Sequence, residues 1–386
     1  MRWGCAGSVG VLAAGAAAAE RARRFGGQPG GMTGPVLRSA LVGATLALGV
    51  GLASCSTTPA APGPEARELV GASSVAEGLE APWSVVFVDD GTALVSERDS
   101  GRVLELAADG STREVGVVDG VVAEGESGLL GLAVDGRTLF AYSTAADGNR
   151  IQRFALEREA GAYALGAPET ILDGLPAART HDGGRIAIGP DGMLYATVGD
   201  AGRREAAQDL DELSGKILRM TLDGAVPDDN PYPGSLVWSS GHRNPQGLAW
   251  AEDGTLFASE FGQDTWDELN VIEPGANYGW PEVEGIAGED GFVDPVQQWE
   301  PGAASPSGMT ELDGVLYLAN LRGEVLRAVP VADPSASTDY AVGEYGRLRD
   351  AVAAPDGDLW FVTSNTDGRG SPGEEDDRIV SVPPPA

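Results

Sequence analysis

The chain has 386 residues, with 56 glycines, 25 prolines and a formal net charge of −32. Such an acidic protein is a poor partner for nucleic acid or for an anionic bilayer surface, because its charge opposes theirs. The glycine and proline content favours short strands and turns over long helices, and no glycine-rich strand-to-helix loop indicates a nicotinamide cofactor.

The first 54 residues are predicted to be an export signal. From Met32, the predicted true start, a basic Arg38 precedes an apolar run over 40–52 that leads into Leu-Ala-Ser-Cys. This order is typical of a signal peptide, and its ending resembles a bacterial lipobox with a lipidated Cys55. The alternative is an ordinary signal sequence cleaved near Ala60. The lipobox predicts a protein at the extracytoplasmic face of a bacterial membrane, held there only by its lipid anchor.

Residues 55–68 are rich in proline and are predicted to form a tether. The only cysteine besides Cys55 is Cys5, which lies in the predicted signal region. The mature chain would therefore contain no thiol for a disulfide or for nucleophilic catalysis.

A pattern recurs six times from residue 80 onward: an Asp-Gly turn, an alternating strand, and a second strand downstream. The turns are at 90–91, 135–136, 191–192, 253–254, 313–314 and 356–357. Asp-Gly favours tight turns, alternation favours strands, and a spacing of roughly 45 to 60 residues suits propeller blades. The sequence predicts an all-β fold, a six-bladed β-propeller over 69–386, with 69–79 pairing into the last blade.

Functional chemistry is expected in the loops that interrupt this repeat. The only two histidines, His181 and His242, both lie in glycine-rich loops, and histidine is the commonest general base. Several loop arginines are also notable in an acidic chain, namely Arg243, Arg322, Arg347 and Arg349. Guanidinium groups bind carboxylates bidentately. One interpretation is that these arginines hold a polycarboxylate ligand; the alternative is that Arg243, Arg347 and Arg349 pair with acidic residues between blades.

Ten collinear runs between about residues 78 and 382 resemble the soluble quinoprotein glucose dehydrogenases and the related aldose and sorbosone dehydrogenases. The runs are 81–83, 125–131, 181–185, 199–200, 215–219, 241–247, 267–270, 277–281, 346–350 and 376–379. The resemblance implies a six-bladed propeller that binds pyrroloquinoline quinone (PQQ) and calcium. It also implies oxidation of an aldose at its anomeric carbon to the lactone, with electrons passing to an external acceptor.

The same resemblance assigns roles to individual residues. It makes His181 the general base, Asp200 the carboxylate that orients it, and Arg243 the group that polarises the reacting quinone oxygen. It also implies that cofactor carboxylates and carbonyls contact a wider set of side chains, namely Arg243, Asn244, Arg322, Arg347 and Arg349.

Two calcium ions are implied in the same way. The main-chain carbonyls of Gly262 and Gln263 would bind the cofactor-associated ion, and the Glu268 carboxylate and Tyr278 carbonyl a structural ion. The alternative for Glu268 is a solvated position at a blade edge.

Two other functions remain open at this point. One is a non-catalytic propeller that binds a sugar or a protein at the cell envelope. The other is a calcium-dependent lactonase-type hydrolase, which predicts a ring of acidic and amide ligands at the channel and leaves the arginines unexplained. A propeller fold does not choose among them.

Overall fold

The computed structural model describes residues 67–159 and 161–385. The predicted signal region 1–54, Cys55 and most of the tether lie outside these ranges. Within them, no helix is long and apolar enough to span a bilayer.

The described residues contain 24 strands, arranged as six four-stranded antiparallel sheets. Each sheet is one blade, and its first strand is nearest the centre of the ring. Blade 1 comprises β2 (Pro82–Phe87), β3 (Ala93–Glu97), β4 (Arg102–Leu106) and β5 (Thr112–Val117). Blade 2 comprises β6 (Leu129–Asp135), β7 (Thr138–Ala145), β8 (Gly148–Glu159) and β9 (Ala162–Leu175). Blade 3 comprises β10 (Ile186–Ile188), β11 (Leu194–Val198), β12 (Lys216–Met220) and β13 (Val237–Ser240).

The remaining blades follow the same order. Blade 4 comprises β14 (Pro245–Trp250), β15 (Leu256–Glu260), β16 (Asp267–Ile272) and β17 (Gln297–Trp299). Blade 5 comprises β18 (Pro306–Leu312), β19 (Val315–Asn320), β20 (Val325–Pro330) and β21 (Thr338–Tyr340). Blade 6 comprises β22 (Leu348–Ala353), β23 (Leu359–Thr363), β24 (Ile379–Val382) and the N-terminal β1 (Ser73–Ala76).

The predicted six-bladed propeller is confirmed, including its closure. Each Asp-Gly turn joins the first and second strands of a blade, and the two strands predicted per repeat are the second and third. β1 pairs antiparallel with β24, with Ser73 opposite Ser381. The N-terminal end of the described chain thus completes the last blade, as predicted for 69–79.

Hydrophobic packing between blades holds the ring together. Six clusters of buried side chains lie one at each blade interface, and the cluster of Val85, Val95, Val362 and Ile379 joins blades 1 and 6. Full burial of one such side chain stabilises the fold by about 1.5–3 kcal/mol. The ring is therefore closed by side-chain packing as well as by the β1–β24 pairing.

Candidate active site

The predicted site residues gather at one end of the ring for a topological reason. Adjacent strands of a blade run in opposite directions, so the connections between second and third strands lie at the end opposite the Asp-Gly turns. The connections that lead into the first strand of the next blade lie at that same end, which we call the upper face. His181 and Arg243 precede first strands, whereas Asp200, Gln263 and Arg322 follow second strands.

β-Bulges bring additional buried side chains together near the upper ends of the innermost strands. The register of the innermost strand shifts near its upper end in five blades, between 82/84, 129/132, 245/247, 306/309 and 348/350. Bulges re-aim side chains in this way. Three residues from these bulges meet: Arg349 Nη1 donates to Gln246 Oε1 at 2.8 Å and to Ser307 Oγ at 3.2 Å. The Arg349 guanidinium also lies 5.7 Å from the ring centroid of a fourth bulge residue, Trp83.

His181 and Asp200 form a directly hydrogen-bonded pair. His181 Nδ1 lies 2.7 Å from Asp200 Oδ1. Burial alone would raise the pKa of Asp200, but hydrogen bonds from His181 and from the Gly202 N–H contribute to a net pKa below its ordinary value. The ionised carboxylate can only accept, so Nδ1 carries a proton, and in the neutral imidazole Nε2 then presents a lone pair. This is the arrangement of an oriented general base.

A third residue, not singled out for a role by the sequence, completes this pair. The connection between β16 and β17 runs beside β13, and Tyr278 N–H donates to the Ser240 carbonyl. This connection places Trp280 Nε1 2.8 Å from Asp200 Oδ2, to which its N–H donates. Both oxygens of the Asp200 carboxylate therefore accept hydrogen bonds. Trp280 lies in the run 277–281 that resembles the family, but no local feature of the sequence indicates that its partner is 80 residues away.

Glu126 ties the histidine loop to Asn244. Its Oε2 accepts the main-chain N–H of His181 at 2.9 Å and the Asn244 side-chain amide at 3.2 Å. Asn244 Oδ1 accepts the Gly183 N–H at 3.0 Å. Asn244, predicted to contact the cofactor, is therefore fully buried and braces the loop that carries His181.

Arg243 has no carboxylate partner in the described part of the chain. Its guanidinium donates to the Phe261 carbonyl at 3.1 Å and to Gln263 Oε1 at 3.3 Å, and lies 5.5 Å from the Trp280 ring centroid. Burial lowers the pKa of Arg243 from its ordinary value, partly offset by Asp200 and Glu260. The alternative of a simple ion pair between blades is therefore wrong for this arginine.

Arg347 and Arg349 share one buried carboxylate. Asp367 Oδ2 lies 3.1 Å from Arg347 Nη2 and 3.9 Å from Arg349 Nη2, within blade 6. Burial lowers the pKa of Arg349 to about 9. The Nε atoms of both arginines are buried without a hydrogen-bond partner. Two guanidinium groups with unmet donors fit a ligand that carries several carboxylates, such as PQQ.

Arg322 and Gln263 lie together in an open cup of about 500 Å³ on the upper face. Both side chains are exposed. The Gln263 N–H donates to Glu284 Oε1 at 2.7 Å. In a trans peptide the carbonyl points opposite to the N–H, so the Gly262 carbonyl points away from Glu284 and remains available to a cation.

The predicted structural calcium site has a mixed donor set. Glu268 is buried rather than solvated; its Oε1 accepts the Gly285 N–H at 2.7 Å, and its Oε2 accepts from Asn270 Nδ2 at 3.1 Å. Burial and the nearby Glu260 carboxylate raise the pKa of Glu268. Asn270 Oδ1 is buried without a partner. An unmet oxygen beside a buried carboxylate fits a hard cation. Among the described residues, no cluster of three or more His, Asp or Glu side chains is suited to a metal, so main-chain and amide oxygens would have to contribute.

The second histidine does not reach the site. His242 is fully buried, with Nδ1 2.8 Å from Glu260 Oε2, Nε2 2.8 Å from Ser239 Oγ, and its ring stacked 4.8 Å from that of Tyr278. Glu260 Oε1 also accepts the main-chain N–H groups of Arg243 and Asn244. His242 therefore belongs to a buried network that supports the Arg243–Asn244 segment.

Known proteins share this architecture. The family model described as glucose/sorbosone dehydrogenase matches residues 79–371. Quinoprotein glucose dehydrogenase B of Acinetobacter calcoaceticus is 33% identical over 259 residues, which are 57% of this chain and 54% of that protein. The chain therefore spans about half the length of that relative. Aldose sugar dehydrogenase of Escherichia coli is 28% identical over 334 residues, covering 75% of this chain and 89% of that enzyme.

A solved structure extends the comparison. The PQQ-bound form of aldose sugar dehydrogenase from Streptomyces coelicolor superimposes with a TM-score of 0.78 at 47% identity, covering 83% of this chain and 99% of that one.

Proposed function

Because this chain belongs to the glucose/sorbosone dehydrogenase family, we propose that it oxidises an aldose at its anomeric carbon to the lactone, using PQQ and calcium. The observation that carries the proposal is the pair of unmet, buried guanidinium donors on Arg347 and Arg349, in the same ring of upper-face loops as the oriented base His181. The alternative of a lactonase-type hydrolase leaves these arginines unexplained.

Each residue of the site has a separate role in the proposed reaction. The anomeric hydroxyl gives its proton to His181 Nε2 while C1 loses a hydride, so that the sugar is oxidised by two electrons. Asp200, ionised and held by Trp280, stabilises the imidazolium that forms. Bound PQQ would supply the two-electron acceptor. Arg347 and Arg349 would hold its carboxylates, and Arg243 would oppose negative charge that develops at the reacting oxygen.

Calcium would be held in two places. The Gly262 and Gln263 carbonyls would bind the ion that accompanies the cofactor, and Glu268, with the Tyr278 carbonyl, would bind a structural ion. The unmatched Asn270 Oδ1 supports the second site. Hard oxygen donors from loops are the ligands calcium prefers.

The test is a titration of the purified, metal-stripped protein with PQQ, with and without calcium, followed by a panel of aldoses with an artificial dye as acceptor. We expect calcium-dependent binding and sugar-driven reduction of the quinone absorbance. His181→Ala should lower kcat by about 10²–10⁴-fold, the usual contribution of a general base. Absence of binding at micromolar PQQ would overturn the proposal and leave a sugar- or protein-binding propeller.

The proposal extends to location. Export and lipid attachment through Cys55 would place the enzyme at the extracytoplasmic face of the membrane, where the electron acceptor would have to reach it. Labelling with a fatty-acid analogue should mark the wild-type protein and not Cys55→Ala. If Cys55→Ala still carried the label, the proposed lipid attachment at Cys55 would be wrong.

A further inference from the structure

One buried arginine on the innermost strands has no role in the reaction described above. Arg185 ends the loop that carries His181 and directly precedes β10 of blade 3. Its Nε donates to the Gln246 carbonyl of blade 4 at 2.9 Å. Its Nη1 donates to Asp350 Oδ2 of blade 6 at 3.1 Å and to Ser84 Oγ of blade 1 at 3.3 Å. A single guanidinium therefore ties three other blades to blade 3.

The Arg185–Asp350 ion pair is packed directly on the main chain of blade 5. A Cβ added at Gly308 would lie 1.8 Å from Asp350 Oδ1 and 2.6 Å from Arg185 Nη2. The two side chains of the pair are only 8% and 4% exposed. Such a buried pair gains little net stability, because the cost of desolvation offsets the attraction between the charges. Ring closure alone therefore does not account for it, since apolar side chains of similar volume would serve as well.

Arg185 shares its supports with Arg349. Gln246 accepts from Arg185 through its main-chain carbonyl and from Arg349 Nη1 through Oε1, at 2.9 and 2.8 Å. The centroid of the Trp83 ring lies 4.3 Å from the Arg185 guanidinium and 5.7 Å from that of Arg349. Asp350, the ion-pair partner of Arg185, is also the next residue in the chain after Arg349. A displacement of Arg185 would thus reach Arg349 by three routes.

We infer that Arg185 is a positioning residue that holds the Arg349 guanidinium in place for a carboxylate of PQQ. It acts through the contacts that both arginines make with Gln246 and Trp83. Arg349 depends on these contacts because its Nε has no partner and the Asp367 carboxylate is 3.9 Å away. A guanidinium fixed before binding loses less entropy when the ligand arrives. The inference rests on the proposed function, in which Arg349 binds the cofactor.

The experiment uses the full-length protein with PQQ and calcium, and two substitutions that break the link at different points. Arg185→Lys keeps a positive charge beside Asp350 but lacks the planar fork that also reaches Gln246. Gln246→Met keeps the carbonyl that Arg185 uses and removes the side-chain oxygen that Arg349 uses. PQQ affinity is titrated from the quinone absorbance, and thermal unfolding is measured on the cofactor-free proteins.

Arg219→Lys is the matched control. Arg219 is another buried arginine of blade 3, with an ion pair to Asp191 at 2.9 Å and its guanidinium 5.0 Å from the Trp238 ring centroid. It also pairs with Asp229 at 2.8 Å. Both aspartates lie at the end of the ring opposite the upper face, so this replacement affects stability without touching the site. A merely structural role for Arg185 predicts that the two lysine variants behave alike.

We expect Arg185→Lys and Gln246→Met each to raise the dissociation constant of PQQ about tenfold, the effect of losing one hydrogen bond to a charged group. The double variant should also bind about tenfold more weakly, because both substitutions break the same link to Arg349 and their effects do not add. Arg219→Lys should bind PQQ within about twofold of wild type, even where its unfolding midpoint falls as far as that of Arg185→Lys.

Wild-type PQQ affinity in Arg185→Lys overturns the inference. A loss in the double variant equal to the product of the two single losses also overturns it, as does an equal loss in Arg219→Lys. If Arg185→Lys does not fold, the charge-balanced variant Arg185→Met/Asp350→Asn replaces it with the same expectation. Failure of the wild type to bind PQQ would instead overturn the proposed function, and the inference with it.

Discussion

The indole N–H of Trp280 donates to Asp200 Oδ2 at 2.8 Å while Oδ1 of the same carboxylate faces His181 Nδ1 at 2.7 Å. The tryptophan comes from blade 4 and the aspartate from blade 3. Trp280 thus fixes the Asp200 carboxylate that orients the general base, although Trp280 lies on the connection between two outer strands, β16 and β17.

Replacing Trp280 with Phe should lower kcat about tenfold, equivalent to about 1.4 kcal/mol, because Asp200 keeps its contact with His181 but loses the bond that fixes its rotamer. KM should change less than kcat. Dye-linked steady-state kinetics check this, with PQQ affinity measured in parallel. A wild-type kcat in Trp280→Phe would show that Asp200 needs no such support.

Stability should rise with pH through the titration of Lys216, the only lysine of the chain. Its Nζ is fully buried and donates to the carbonyls of Ala206, Ala207 and Ser214 at 2.7–2.9 Å. Burial lowers the pKa of Lys216 from 10.5 to about 8. Between these values the unfolded chain binds a proton that the folded chain does not, so the free energy of unfolding increases with pH there.

This increase in the free energy of unfolding should begin at about pH 8 and be complete above about pH 10.5, where it amounts to about 3 kcal/mol. Denaturant unfolding of wild type and Lys216→Met across this range isolates it, because other titrating groups are common to both proteins. The resonance of the single labelled lysine gives the pKa directly. A constant difference between the two proteins from pH 7.5 to 11 would contradict the prediction.

Gly199→Ala should destabilise the fold and disturb the position of the general base, His181. A Cβ at Gly199 would lie 1.9 Å from the carbonyl oxygen of His181, a main-chain atom that cannot move aside cheaply. Overpacking of this kind costs typically about 1–3 kcal/mol or more. Gly302→Ala is the matched control, since nothing lies within 4 Å of the added atom. The thermal unfolding midpoints of the two variants are compared, and we expect a lower midpoint for Gly199→Ala. Equal midpoints would contradict the predicted clash.

Calcium should stabilise the protein through Glu268 even without PQQ. At 100 times its dissociation constant, the ion should add about 2.7 kcal/mol to the free energy of unfolding. Glu268→Ala should abolish most of this gain, whereas Glu252→Gln, an exposed carboxylate elsewhere on blade 4, should retain it. Unfolding with calcium and with a chelator measures the effect. An undiminished gain in Glu268→Ala would place the ion elsewhere.

The sequence determined the features that depend on near neighbours. Each Asp-Gly turn and the alternating strands beside it follow from local conformational preference, which is why six blades and the last-blade closure were predictable. The pairing of His181 with Asp200 was expected only through the family resemblance, and the structure brings the two together.

Tertiary structure alone decided the rest. The innermost strands carry bulges that bring Trp83, Gln246 and Ser307 to Arg349, and a bulge depends on the partner strand as much as on its own residues. Glu126 and Trp280 meet partners from neighbouring blades, and Asp367 meets Arg347 across blade 6. Their contacts depend on the relative placement of loops distant in sequence, which no local pattern encodes.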